Sequence, residues 1–293
     1  MTTPLLERVA GAPISWGVCE VPGWGHQLDS ERVLSEMRAV GISATEFGPD
    51  GFLPEDPQTL ADTLAGHGLA AVGGFVPVLL HDRGHDPQPG VDHALDAFLA
   101  AGAGVLVLAA ASGTDGYDAR PELDEADWQH LLGTLDRLAE HAAGRGVLAC
   151  LHPHVGTMVE TAEDVRRVLD GSEVPLCLDT GHLLIGGSDP VELAAEATGR
   201  IAHTHLKDVD QSWAERVHAG EQAYTAAVRA GMYRPLGQGD VDIAGIVTTL
   251  EAGGYDGWYV MEQDTVLGSA QDAEAALHDV RTSVDFLRAL ATR

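Results

Sequence analysis

Four short segments of the chain carry ionisable side chains in a pattern that could bind a divalent cation and move protons beside it. They read Cys150-Leu151-His152-Pro153-His154, Cys177-Leu178-Asp179-Thr180-Gly181-His182, Ile201-Ala202-His203-Thr204-His205-Leu206-Lys207-Asp208 and Trp258-Tyr259-Val260-Met261-Glu262-Gln263-Asp264. Side chains alternate along extended backbone. His203, His205 and Lys207 therefore share one face, and Ala202, Thr204 and Leu206 the other. His152 with His154, Asp179 with Cys177, and Glu262 with Val260 fall into the same phase. If the four segments are adjacent strands, they aim His, Asp, His and Glu at one point. Imidazole suits Zn, Co, Mn and Fe, while two carboxylates pull the preference toward Mn or Co. Any one of these histidines is as readily a buried core side chain as a ligand. Four in succession point to a metal or catalytic centre.

The elements that must position these residues follow from periodicity. Short β-branched or apolar runs alternate with amphipathic stretches, and the strands expected are Ala10–Gly17, Ser43–Phe47, Ala70–Val76, Val105–Ala110, Val147–His152, Pro175–Asp179, Ile201–Leu206 and Trp258–Gln263. Helices follow them, among them Ser30–Val40, Pro57–His67, Asp92–Ala101, Ala126–Ala143 and Thr161–Leu169, the last opened by a capping-box-like Thr161 and Asp164. Eight such units predict an α/β fold, a closed (β/α)8 TIM barrel, with the chemistry at the C-terminal ends of its strands. An open doubly wound sheet is disfavoured because no G-x-G-x-x-G run follows the first strand. A single domain over 1–293 is expected, with an extra helix at 211–230 after strand seven on the face where active sites lie.

Composition narrows the partners. Seventeen Lys+Arg against 45 Asp+Glu give a formal charge of −28. That argues against nucleic acid and against an anionic membrane surface, both of which call for a basic face. Residues 1–10 include Glu7 and Arg8 and do not read as a signal peptide, and the apolar run Val105 to Ala111 is far short of a membrane span. A cytoplasmic protein is expected. Cys19, Cys150 and Cys177 are widely spaced and read as reduced thiols, the latter two filling a core layer.

At these residues the chain resembles the xylose-isomerase-like TIM-barrel superfamily of sugar isomerases, epimerases and dehydratases, and within it the inosose (2-keto-myo-inositol) dehydratases. The likeness runs from Ala10 to about Leu290. It is carried by Pro13-Ile14-Ser15-Trp16-Gly17, Thr45-Glu46-Phe47-Gly48, His152-Pro153-His154-Val155-Gly156-Thr157, Asp179 to His182, the His-x-His-x-Lys-Asp run, Gly237-Gln238-Gly239 and Gly257-Trp258 through Glu262. In the superfamily's ketose epimerases a metal is held by Glu, Asp, His and Glu from strands five to eight. The resemblance places the last three on Asp179, His205 and Glu262, and puts His152 where the first Glu stands, with His154 as the alternative. The implied cofactor is a divalent ion, Mn or Co before Zn or Fe. The implied reaction is dehydration of a cyclic ketone in inositol catabolism, and the resemblance allows a homo-oligomer.

Such a reaction removes a proton beside the carbonyl and expels a hydroxyl one carbon further on. Glu262 is the expected base and Glu46 the reserve. His182 and His154 are the expected proton donors. Lys207 is expected to neutralise charge or fix a hydroxyl, an ion pair with Asp208 or another neighbour being the alternative. Trp16, Glu20, Trp24, His203 and Arg234 are expected to line a cyclitol pocket, although Trp16 and Trp24 could equally pack under a loop. Competing readings are a ketose isomerase or 3-epimerase, a nuclease on the same fold, which the acidity disfavours, and a non-catalytic cyclitol-binding barrel.

Overall fold

The computed structural model describes residues 3–292. Parallel strands β1 (Val9–Gly11), β2 (Ala44–Thr45), β3 (Ala70–Ala71), β4 (Gly73–Val78), β5 (Val105–Ala110), β6 (Leu148–Leu151), β7 (Leu176–Asp179) and β8 (Ile201–Leu206) alternate with helices. A short antiparallel ribbon of β9 (Asp208–Val209) and β10 (Tyr233–Arg234) follows, and β11 (Tyr259–Met261) completes the sheet. The order is β3-β2-β1-β11-β8-β7-β6-β5-β4. Its two edges, β3 and β4, are separated only by Val72, whose N–H donates to Thr45 on one side and whose carbonyl accepts from Gly104 and Val105 on the other. The third expected strand is thus one bent strand, and the ring closes through it as a TIM barrel.

The first strand is shorter than its sequence suggests. After Gly11 the chain turns into a 3-10 helix, Pro13–Trp16, because Pro13 has no N–H to give a ladder and Gly17 takes φ +82° to end the turn. The other elements keep close to their expected ranges, and many helices start at an acidic cap. Asp29, Asp56, Asp124, Asp189, Asp210 and Asp242 each accept a backbone N–H of the first turn. Thr161 and Asp164 form the capping box expected of them. Part of the acidity is therefore helix-starting chemistry.

Leucines of β5 and of the helices Ser30–Val40, Gln88–Ala101 and Glu125–Gly144 fill the layer between sheet and helices. Inside the barrel, Ala10, Ala12, Ala44, Val72 and Val260 pack over Trp258, and Val105, Val107, Cys150 and Cys177 form a second buried cluster. Between β9 and β10 lie two short helices, Gln211–His218 and Tyr224–Arg229, where one was expected over 211–230. The break falls at Gly220, which holds φ +70°. Among the described residues no helix is long and apolar enough to cross a membrane.

Candidate active site

The site is built where β6, β7, β8 and β11 end. The alternation of β8 turns His203, His205 and Lys207 into the barrel, and all three are buried. Thr204, on the opposite face, gives its hydroxyl to Tyr255.

Asp179 closes β7 and divides its two oxygens between separate tasks. Oδ1 caps the helix Thr180–Ile185, accepting from the N–H of Gly181 at 3.0 Å and of His182 at 2.8 Å. Oδ2 is left for the site, 3.0 Å from Nε2 of His152, 3.5 Å from Nζ of Lys207 and 3.6 Å from Nδ1 of His205. Glu262 follows β11 and brings Oε2 to 2.8 Å from the same Nδ1 of His205. One donor atom each from Asp179, His205 and Glu262 lies within 4.8 Å of the others, and so does one each from His152, Asp179 and His182.

These residues fit a divalent cation. Nδ1 of His205 and Oε2 of Glu262 are buried side by side without a hydrogen bond, and Nδ1 of His152 is equally unpartnered. Buried polar atoms seldom stay unpaired without a reason. Three carboxylates, Asp179, Glu262 and Asp264, also converge here on one buried ammonium, that of Lys207, and a fourth, Glu46, lies behind them against His203 and His205. Such a surplus of negative charge in a dry interior calls for a cation. Between the two histidines that follow β6 the geometry favours His152. His154 points Nδ1 at the carbonyl of Val155, 2.7 Å away, and stacks between Tyr117 and His182, at 4.4 and 3.7 Å between ring centroids.

Several expected roles change. Glu46 is no free base: Oε1 accepts from Nε2 of both His203 and His205, at 2.8 and 3.0 Å, and those imidazoles hold its carboxyl far below the usual range despite burial. His203 is correspondingly sealed beneath the site rather than exposed to a ligand. The surroundings of His154 and His182 disfavour the charged, proton-donating form expected of them. Burial, and then the neighbouring His152 and Lys207 for His154, and His154 and Lys207 for His182, push both well below the ordinary imidazole value. Lys207 does not pair with Asp208. Its Nζ donates to Oδ1 of Asp264 at 2.7 Å and to Nε2 of His182 at 3.0 Å, and the carboxylates of Asp179, Asp264 and Glu262 outweigh burial to keep it charged. Asp208 faces away and accepts from the N–H groups of Val209, Gly237, Gly239 and Val241.

Above this floor opens a cavity of about 960 Å³ whose lining includes Glu20, Trp24, Phe75, Tyr117, His152 and Glu262. Glu20 and Trp24 are thus where a pocket-lining role needs them. Trp16 and Arg234 are not. Trp16 is fully buried with Nε1 donating to Glu36, and Arg234 reaches outward to Asp210 at 3.1 Å. The roof is cross-linked: the Tyr117 hydroxyl meets Glu20, Asp118 accepts from Thr225, and Arg229 donates to the carbonyls of Gly23 and Trp24. Tyr117, Tyr224 and Asp264 escaped the sequence reading. They sit on loops and the insert, where no period says which way a side chain points.

A family model described as xylose isomerase-like TIM barrel matches residues 34–290. The chain is 31% identical over 277 residues to an inosose dehydratase of Geobacillus thermodenitrificans, covering 91% of this chain and 92% of that one. It is 34% identical over 266 residues to the rhizopine catabolism protein MocC of Rhizobium meliloti, covering 88% and 81%. Among solved structures, the IOLI protein with a bound zinc atom superposes with a TM-score of 0.68 at 14% identity, covering 97% and 98%. At that identity it speaks for the barrel fold alone.

Proposed function

The chain belongs to the xylose isomerase-like TIM-barrel family and is an enzyme of its dehydratase branch, a hydro-lyase, and on that premise we propose that it dehydrates 2-keto-myo-inositol (scyllo-inosose) or a similar cyclic keto-polyol with the help of a divalent metal. This reading would place it in inositol catabolism. The observation that carries the metal is the pair of unpartnered atoms, His205 Nδ1 and Glu262 Oε2, facing Asp179 Oδ2 at the cavity floor.

Asp179, His205, Glu262 and His152 would hold the cation, which when bound would act as a Lewis acid toward the ketone oxygen and stabilise the enolate charge. Mn or Co suits two carboxylates with two imidazoles, and Zn or Fe is accommodated by the same donors. Glu262 remains the preferred base. Lys207 and His205 keep its carboxyl below the usual range in spite of burial, so it is ionised and can take the α-proton. The expelled hydroxyl leaves as water with a proton from Lys207, the charged donor 3.4 Å from Glu262, and that separation lets the abstracted proton return to the amine afterwards. His182, as a neutral imidazole, accepts a hydrogen bond from Lys207, and His154, whose Nδ1 donates to the carbonyl of Val155, packs the wall. Glu20, Trp24 and Tyr117 cover the substrate and exclude water.

Metal-stripped protein resupplied with Mn or Co should convert scyllo-inosose to its dione, followed by the ultraviolet absorbance of the product. No product from a protein that still binds the metal tightly would refute the assignment. The second reading, a ketose isomerase or 3-epimerase, draws on the shared Asp179, His205 and Glu262 set. In heavy water it would give proton exchange without loss of a hydroxyl.

A further inference from the structure

Lys207 is the only lysine in the chain, and every other Lys or Arg position is arginine. An ammonium has three N–H donors, and here each has a defined destination. One goes to Oδ1 of Asp264 at 2.7 Å and one to Nε2 of His182 at 3.0 Å. The remaining direction faces Oε2 of Glu262 at 3.4 Å and Oδ2 of Asp179 at 3.5 Å, where the cavity meets the cluster of donor atoms. Asp264 is itself anchored. Its Oδ2 accepts from the hydroxyl of Tyr224 at 2.6 Å, and that hydroxyl is 3.0 Å from the hydroxyl of Tyr233, whose ring lies 5.5 Å from Nζ. Tyr224 opens the second helix of the insert between β9 and β10, so an unbroken hydrogen-bonded chain runs from the insert to the ammonium.

We infer that Asp264 and Tyr224 are positioning residues that aim the Lys207 ammonium at the substrate oxygen beside Glu262, which makes the insert part of the catalytic apparatus. A lysine ammonium is a compact charge on a flexible stem with no directional preference of its own. Without a fixed counter-ion it would settle onto Glu262 or Asp179, the carboxylates needed as base and ligand. Asp264 holds it off them, and Tyr224 holds Asp264. The inference rests on the dehydratase reading for the identity of the oxygen, and on geometry alone for the aiming.

Because the chain has one lysine, protein labelled with ¹⁵N at lysine Nζ gives a single ammonium signal. Tyr224→Phe keeps the ring and removes the hydroxyl; Asp264→Asn keeps the volume and removes the charge. Tyr224→Phe should shift that signal and speed exchange of its protons. It should lower kcat on scyllo-inosose by roughly 10- to 100-fold, the scale on which a misaimed group costs rate. KM and Mn affinity should stay within about twofold, since aiming acts in the transition state. Asp264→Asn should move all of these the same way and further. A signal and kcat identical to wild type in Tyr224→Phe would overturn the inference. So would an effect confined to KM or to Mn affinity, or trapping of Lys207 by borohydride with scyllo-inosose, which would make the amine a nucleophile. If wild-type protein leaves scyllo-inosose unchanged, the dehydratase reading falls, and the ammonium signal of the two variants still decides the aiming.

Discussion

Nε2 of His205 lies 3.0 Å from Oε1 of Glu46, and this contact decides which nitrogen of His205 faces the cavity floor. An ionised carboxylate can only accept, so Nε2 carries a proton toward Glu46, which leaves Nδ1 as the nitrogen that would offer its lone pair to a cation held with Asp179 and Glu262. A carboxylate behind a metal-binding histidine fixes its tautomer and raises its basicity, and losing it typically costs 10–100-fold in metal affinity. Glu46→Gln should therefore weaken Mn binding on the order of 10-fold or more while leaving the fold intact. Competition with a chelator measures it, and an unchanged affinity would show that Glu46 is only filling space.

Removing the metal should also loosen the protein. Asp179, Glu262 and Asp264 face Lys207 as the one buried ammonium among them, and a bound dication would offset their mutual repulsion. At a free-metal concentration 100 times Kd, binding contributes about 2.7 kcal/mol, which for a chain of this length corresponds to a Tm rise of roughly 5 °C. Calorimetric scans with chelator and with excess Mn or Co should differ by about that amount. Coincident scans would argue against a resident ion.

Asp208 predicts a loss of stability with a distinct signature. Its carboxylate gathers four backbone N–H groups, three of them from the Gly237–Val241 loop. Asp208→Ala would leave those donors without partners, at about 1–3 kcal/mol for each one kept from water. Asp208→Asn keeps one acceptor oxygen and should recover about half of the loss, on the same scale. Denaturant unfolding of the two variants gives the comparison. Equal midpoints for both would mean that the loop holds itself.

Arg234 and Trp16 serve as controls on the pocket. Arg234 is half-exposed and turned to Asp210, and Trp16 is sealed against Glu36. Arg234→Ala should leave KM and kcat within about twofold, as surface changes usually do. Trp16→Phe should lower Tm, through the lost hydrogen bond and ring volume, without raising KM. A large rise in KM for either would return that residue to the pocket wall.

Much of this site was legible because strands have a period of two. The phase of His203, His205 and Lys207 holds, and so does the convergence of Asp179 and Glu262 with it. The same rule excludes a Lys207–Asp208 pair, since neighbours in extended backbone point apart. The capping box at Thr161 was legible because it is local. Beyond the strands the signal fades. The chain stops being a strand after Gly11, although Ile14 and Trp16 look like more of it, because Pro13 forces a turn. Asp264, Tyr117 and Tyr224 reach the site from loops and the insert, and their destinations are set by tertiary packing that no local pattern encodes.

His152 carries the sharpest test of reaction type. Its Nε2 sits 3.0 Å from Asp179 Oδ2 with Nδ1 unpartnered, in the place where related epimerases are expected to have a glutamate. An imidazole ligand there brings one negative charge fewer than a carboxylate would, which favours charge building on the ketone oxygen as the α-proton departs. It also removes one of the two carboxylates an epimerase is expected to use to move a proton between faces, and an elimination needs no such return. His152→Glu should therefore lower water loss from scyllo-inosose relative to exchange of its α-proton with heavy water. Product absorbance and mass spectrometry of recovered substrate, measured on the same sample, give the ratio. If both rates fall together, His152 is a ligand with no influence on which reaction follows proton removal.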